Sequence, residues 1–198
     1  MATYTLVPNV TRIPDSGDWD INGGAGTIHG NLAVTAGTIS TAAQGKDFRV
    51  GFLSQALADN ETIDSVRACI KGHTGNTRSA THDVRIDIEN ASNSAYFTDT
   101  HTVTENGGSV ATYCSAAETI NPATSAAWEQ GAIDAIRMDV EITSFSGGSP
   151  TCVLYEAYIT VVTTIPPSQT TYTSDDQVTL SGGTLEFKNG MTVIGSKN

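Results

Sequence analysis

Apolar and polar residues alternate most regularly between Ile133 and Val161. Ile136, Met138, Val140 and Ile142 recur at every second position, with Arg137, Asp139 and Glu141 between them. Ala157, Ile159 and Val161 repeat the pattern, with Tyr158 and Thr160 on the other face. Successive side chains of a strand point to opposite sides, so these runs predict strands with one face on a core and one in water. The intervening Ser146-Gly147-Gly148-Ser149-Pro150 reads as a hairpin loop joining them.

The same period occurs upstream. Val66, Ala68 and Ile70 alternate with Arg67, Cys69 and Lys71. Val84, Ile86 and Ile88 alternate with Asp83, Arg85, Asp87 and Glu89, which predicts a solvated outer face. Shorter strands are expected over 48–52, 96–104 and 110–115, and an extended opening segment over 1–22. Residues 22–30 are Gly-rich and predict no helix; 31–41 reads as a weak strand. The polar stretch after Asn121-Pro122 has room for one helical turn before Trp128. Strands at intervals of about 8 to 15 residues, with turn signals between, predict a sandwich or jelly roll. Trp19 and Trp128 are expected to plug its core.

Pro166-Pro167 ends this pattern. Beyond it, Val178, Leu180, Leu185, Phe187 and Val193 alternate with polar residues around Gly182-Gly183 and Asn189-Gly190. So short a β-meander cannot bury a core alone. It needs a partner surface, on its own sandwich or on a neighbouring subunit. The predicted organisation is therefore a sandwich over 1–165 and a C-terminal arm over 166–198.

Composition narrows the partners. The net charge is −11 and the isoelectric point about 4.5. Nucleic acid and anionic membranes call for a basic surface, so neither is expected as a partner. Met1 to Pro8 shows no signal peptide, which predicts synthesis in a cytosol. Cys69, Cys114 and Cys152 are odd in number and widely spaced, so reduced thiols are expected.

Candidate chemistry is sparse. His29, His73, His82 and His101 show no metal-ligand spacing and read as surface or strand-edge residues. Asp18 and Asp20 bracket Trp19 and supply hard oxygen donors, the weak case for a cation; no metal or other cofactor is expected. Asp83, Asp87 and Glu89 share a strand face, but nothing marks a cleft for paired-carboxylate catalysis. Tyr158 is the best outward aromatic and hence the candidate glycan contact.

A family resemblance adds to this. Thr5-Leu6-Val7-Pro8-Asn9 with Gly17-Asp18-Trp19 resembles the opening of a jelly-roll module of tailed-bacteriophage structural proteins. Phe48-Arg49-Val50-Gly51-Phe52 and Ile63-Asp64-Ser65-Val66-Arg67-Ala68 fit its next strands. Trp128 ahead of Ile133-Asp134-Ala135-Ile136-Arg137-Met138, and then Tyr155-Glu156-Ala157-Tyr158-Ile159-Thr160-Val161, are similar to its closing elements. The likeness covers about 3–163 and has no counterpart for the arm. It implies a virion structural role and no catalytic site.

The expectation is thus an all-β protein, an antiparallel jelly-roll β-sandwich with a short β-rich arm. Its expected role is a non-enzymatic capsid decoration or cement protein, assembled in the host cytoplasm and resident in the virion. Its partners would be the major capsid protein or other virion subunits, and it would form a homo-oligomer. Val178, Leu180, Leu185, Phe187 and Val193 would supply arm contacts at seams. The alternatives are a tail or fibre module that binds host glycan and a cellular carbohydrate-binding domain.

Overall fold

The structure is a computed structural model that describes residues 1–13, 19–23, 27–33, 37–58, 61–75, 81–92, 94–104, 109–146 and 151–165. The chain forms two compact units, Met1–Pro166 and Pro167–Asn198. The arm residues Val178, Leu180, Leu185, Phe187 and Val193 lie outside the described residues.

The first unit is an antiparallel jelly-roll β-sandwich. Its strands are β1 (Ala2–Leu6), β2 (Pro8–Ile13), β3 (Asp20–Gly23), β4 (Gly37–Thr41), β5 (Asp47–Phe52) and β6 (Thr62–Thr74). They continue with β7 (Thr81–Glu89), β8 (Ala95–Val103), β9 (Ala111–Cys114), β10 (Arg137–Ser146) and β11 (Cys152–Thr164). Two short helices, α1 (Ile28–Ala33) and α2 (Gln130–Asp134), interrupt the series. One sheet runs β3-β4-β11-β6-β9, with β1 also on β11; the other runs β2-β5-β10-β7-β8.

The strand order has a simple logic. β7 pairs with β8, β6 with β9, β5 with β10 and β4 with β11. The chain is one long antiparallel ribbon folded at the β7–β8 turn and then rolled, so that alternate rungs fall in opposite sheets. Asn90 makes that turn: its side-chain Oδ1 accepts the backbone N–H groups of Ser92 and Ser94.

Rolling changes the expected hairpin at Ile133–Val161. β10 and β11 lie in different sheets, so the two strands do not pair with each other as a hairpin ladder. Alternation reports which face of a strand is buried, not which strand lies beside it. The inward sets are as expected: Met138, Val140 and Ile142 in one sheet, and Ala157, Ile159 and Val161 in the other, are all buried. Trp19 and Trp128 are buried too. Trp19 meets Phe48 edge-on at 5.1 Å, and Trp128 meets Tyr96 at 5.4 Å.

The helices differ from expectation. α1 starts inside the Gly-rich stretch, where no helix was expected. It buries Ile28 and Leu32, one turn apart on the same side, among β2, β4 and β11. Core burial there outweighs the helix cost of Gly30. α2 follows Trp128 rather than preceding it, and buries Ile133. Residues 121–126 instead form a tight turn in which buried Asn121 accepts the N–H of Ala123 through Oδ1 and pairs its own N–H with the Ala126 carbonyl.

The cysteines also depart from the sequence reading. Cys69 and Cys114 are direct register partners on β6 and β9 and form a disulfide, with Cα atoms 4.1 Å apart. Wide sequence spacing was a poor guide because β9 returns to β6 from 45 residues away. Cys152 is free and buried, and burial pushes its thiol pKa up to about 12. Reducing the bridge, or replacing both cysteines by Ala, is expected to lower stability by about 3–4 kcal/mol from loop-closure entropy. Denaturant titration measures this. Alkylation of the unfolded, unreduced chain should label Cys152 alone.

Candidate functional site

The outer face of the β2-β5-β10-β7-β8 sheet carries the densest polar constellation among the described residues. Alternation on β5, β7 and β10 sends Arg49, Arg85, Asp87, Glu89, Asp139 and Glu141 to that side, while Val50, Ile86, Ile88, Met138 and Val140 fill the core. Register then sets the neighbours. Arg49 lies opposite Asp139, Asp139 opposite Asp87, and Glu141 opposite Arg85.

Arg49 organises this layer. Its Nη2 donates to Asp139 Oδ2 at 2.6 Å and to Glu89 Oε1 at 2.9 Å. Its Nε lies 2.6 Å from Glu89 Oε2, an ion-pair contact too poorly aligned to be a hydrogen bond. Arg85 similarly bridges Asp87 at 2.9 Å and Glu141 at 2.7 Å. Asp83 accepts from the hydroxyls of Ser144 and Thr102, bonds that hold its carboxyl below the usual range.

The sequence pattern predicted a solvated face; three of its carboxylates are instead buried. Asp87, Asp139 and Glu89 are only 8%, 7% and 5% exposed, because flanking strands and arginine stems cover them. Burial raises the pKa of Asp139 and Glu89 against the opposing pull of Arg49. Asp87 Oδ1 and Asp139 Oδ1 are buried without a hydrogen-bond partner, and the two carboxylates face one another across the ladder. Such a layer sets strand register and lends a fixed field. Its arginines already occupy the carboxylates that acid–base chemistry would use.

Two shallow recesses flank the sandwich. One, of about 250 Å³, is lined by Thr5, Val7, Leu32, Ala33, Glu156, Ala157 and Tyr158. Tyr158 is half-buried and points outward between the inward Ala157 and Ile159, as expected. It is the recess's one aromatic ring, and Glu156 beside it is drawn to Lys71 at 3.0 Å. Tyr155, at a β-bulge, bonds instead to His73 Nε2 at 3.1 Å.

The other recess, of about 440 Å³, lies between the segment before β6 and the chain leading into α2, with Trp128, Glu61 and Gln130 in its wall. Trp128 Nε1 donates to the Glu118 carbonyl at 3.0 Å, which fixes the ring. Gln130 ties the rim: its Oε1 accepts the Leu57 N–H, and its Nε2 donates to the Gln55 carbonyl and Asp134. Glu61 accepts the hydroxyls of Thr163 and Tyr4 and the Ala58 N–H. The Thr163 bond contributes most to lowering the Glu61 pKa.

Asp20 is exposed on β3, and Asp18 lies outside the described residues. No group of three or more His, Cys, Asp or Glu side chains among the described residues has the arrangement to hold a metal. His82 is buried beside Phe145 rather than on the surface, because its strand position faces the core. Arg49 and Glu61 were missed as organisers. The charge alternation marked the Arg49 strand face, but nothing local marks which acids register will deliver to it.

No family model matches this chain, and no curated protein matches it. Among solved structures, it is similar to a truncated AlyQ with CBM32 and alginate lyase domains. There the TM-score is 0.41 and the identity 12%, over 80% of this chain and 33% of that one. A chain described as "CBM4 structure and function" gives a TM-score of 0.40 at 11% identity, over 80% of this chain and 95% of that one.

Two outcomes follow from this geometry. Arg49→Met strands two buried carboxylates and should cost about 3–5 kcal/mol, whereas adding Glu89→Gln and Asp139→Asn should restore most of it. Urea unfolding of the three chains reads both. Glu61→Gln tests the depressed carboxyl. A lowered folded pKa stabilises above the unfolded value and is lost as pH falls through the folded one. The variant should therefore be less stable at neutral pH, and the gap should close as pH drops below about 4. A gap independent of pH would assign the loss to packing.

Proposed function

We propose that this chain is a non-enzymatic structural protein of a tailed-bacteriophage virion, acting as a capsid decoration or cement protein. The observation that carries the reading is the order of elements over about 3–163, in which the phage-like sequence pattern coincides with a rolled jelly-roll ribbon. The site supports it in a second way. Arg49, Arg85 and Lys71 are engaged in ion pairs within the fold, and the recesses are shallow. The chemistry available is surface burial and fixed charge, which suits repeated contacts at subunit seams. One standard contact buries about 1,600 Å², and repetition over a shell multiplies its effect. The acidic balance favours protein partners over nucleic acid.

A second reading, a tail or fibre module for host glycan, is favoured by the outward Tyr158 over its recess. Mass spectrometry of separated heads and tails tests the first: the chain should be found with heads. Removing Pro167–Asn198 should leave the sandwich's unfolding midpoint nearly unchanged and weaken attachment to heads. Robust binding on a glycan array, abolished by Tyr158→Ala, would decide for the second reading.

A further inference from the structure

We propose that β8 is a self-complementary docking edge, through which two copies of this chain pair antiparallel about Thr100 and join their five-stranded sheets. Among the described strands, those paired on one side only are β1, β2, β3, β8 and β9, and β1 has only five residues. β3 and β9 have four residues each. β2 opens on Pro8 and shifts register twice against β5. β8 has nine residues, and its ladder with β7 is regular from Phe97 to Val103. It contains no Pro or Lys, two residues that commonly blunt a sheet edge; its one carboxylate, Asp99, turns to the inner face.

The direction of its backbone is set. The Thr100 N–H donates to Asp99 Oδ1 at 2.8 Å and the Thr104 N–H to the Tyr113 hydroxyl at 3.4 Å, both away from β7. Backbone groups alternate sides along a strand, so Thr98, Thr100 and Thr102 present theirs to the side away from β7, where no described strand pairs with β8. Their side chains are exposed on the sheet's outer face. Asp99 and His101 lie on the other face, their side chains 36% and 20% exposed.

One register satisfies all of this. Placing Thr100 opposite Thr100 of the second copy sets Thr98 opposite Thr102, so each edge-facing residue finds a hydrogen-bonding counterpart. The intervening pairs are then Asp99 with His101 and Phe97 with Val103. The first sets an acid against a base, a favourable cross-strand combination. Val103 is fully buried in its own sandwich, so the second pair is compatible with the seam without adding contact. A register moved one pair either way sets Asp99 against Asp99 or His101 against His101. A slip of opposite parity turns the N–H groups away from acceptors. The strand is thus complementary to itself in charge and in backbone hydrogen bonding at one alignment. In that alignment the Thr100 N–H exchanges Asp99 Oδ1 for a carbonyl of the second copy. Asp99 Oδ2 keeps the Ala116 N–H at 3.3 Å and lies 3.6 Å from His101 of its own chain, so Oδ1 is the oxygen freed toward His101 across the seam.

Sedimentation of the full chain over a range of concentrations tests the pairing. The wild type should dissociate from dimer to monomer on dilution, and Thr100→Pro, which removes the central donor, should weaken association at least tenfold. Thr98→Lys provides the same test should the proline chain fail to fold. On mild oxidation Thr100→Cys should form a covalent dimer across the two-fold axis, whereas Thr124→Cys, on an exposed turn, should not. A wild type that stays monomeric to its solubility limit would overturn the proposal. So would a dimer indifferent to Thr98→Lys, or equal cross-linking at both cysteine positions. None of these readouts depends on virion attachment, so the edge pairing and the capsid role fail separately.

Discussion

The ladder between β6 and β11 is the contact on which the rest of the sandwich depends. Both strands run thirteen residues, and they pair from Thr62–Thr164 to Thr74–Cys152. On the far side of β11, β4 takes the first stretch and β1 the last, while β9 takes the middle of β6. One pair of strands therefore sets the register of a whole sheet. It also has a steric condition. A Cβ added at Gly72 would lie 2.5 Å from the Val153 carbonyl oxygen, where β11 bulges between Leu154 and Glu156. The close approach of two backbones requires glycine there.

The second sheet is stabilised differently. Its inner face is a continuous apolar layer, but its outer face substitutes paired charge for solvent. Burying Asp139 and Glu89 costs desolvation, and Arg49 offsets it only while β5, β10 and β7 stay in register. A one-residue slip would move the arginine to the core and the valines to water. The charged layer thus penalises misalignment more than it adds to stability.

Strand character and the inward-facing sets were legible in the residues. Alternation is a local property, since each side chain's side of the sheet follows from its parity along the strand. The outward Tyr158 was readable for the same reason. α1 was not, because Ile28 and Leu32 carry a helical spacing too short to stand out from a Gly-rich background. Its helix exists because β2, β4 and β11 leave a gap that two apolar side chains fill.

What the sequence determined by itself is the class of structure and the identity of its core. What tertiary structure decided is adjacency. β10 and β11 read as a hairpin yet fall in opposite sheets, Cys69 meets Cys114 across 45 residues, and Arg49 meets Glu89 and Asp139 from three separate strands. Rolling the ribbon is a global choice among pairings that share one local pattern. Its free energy resides in contacts between segments far apart in the chain, so no window of sequence contains it.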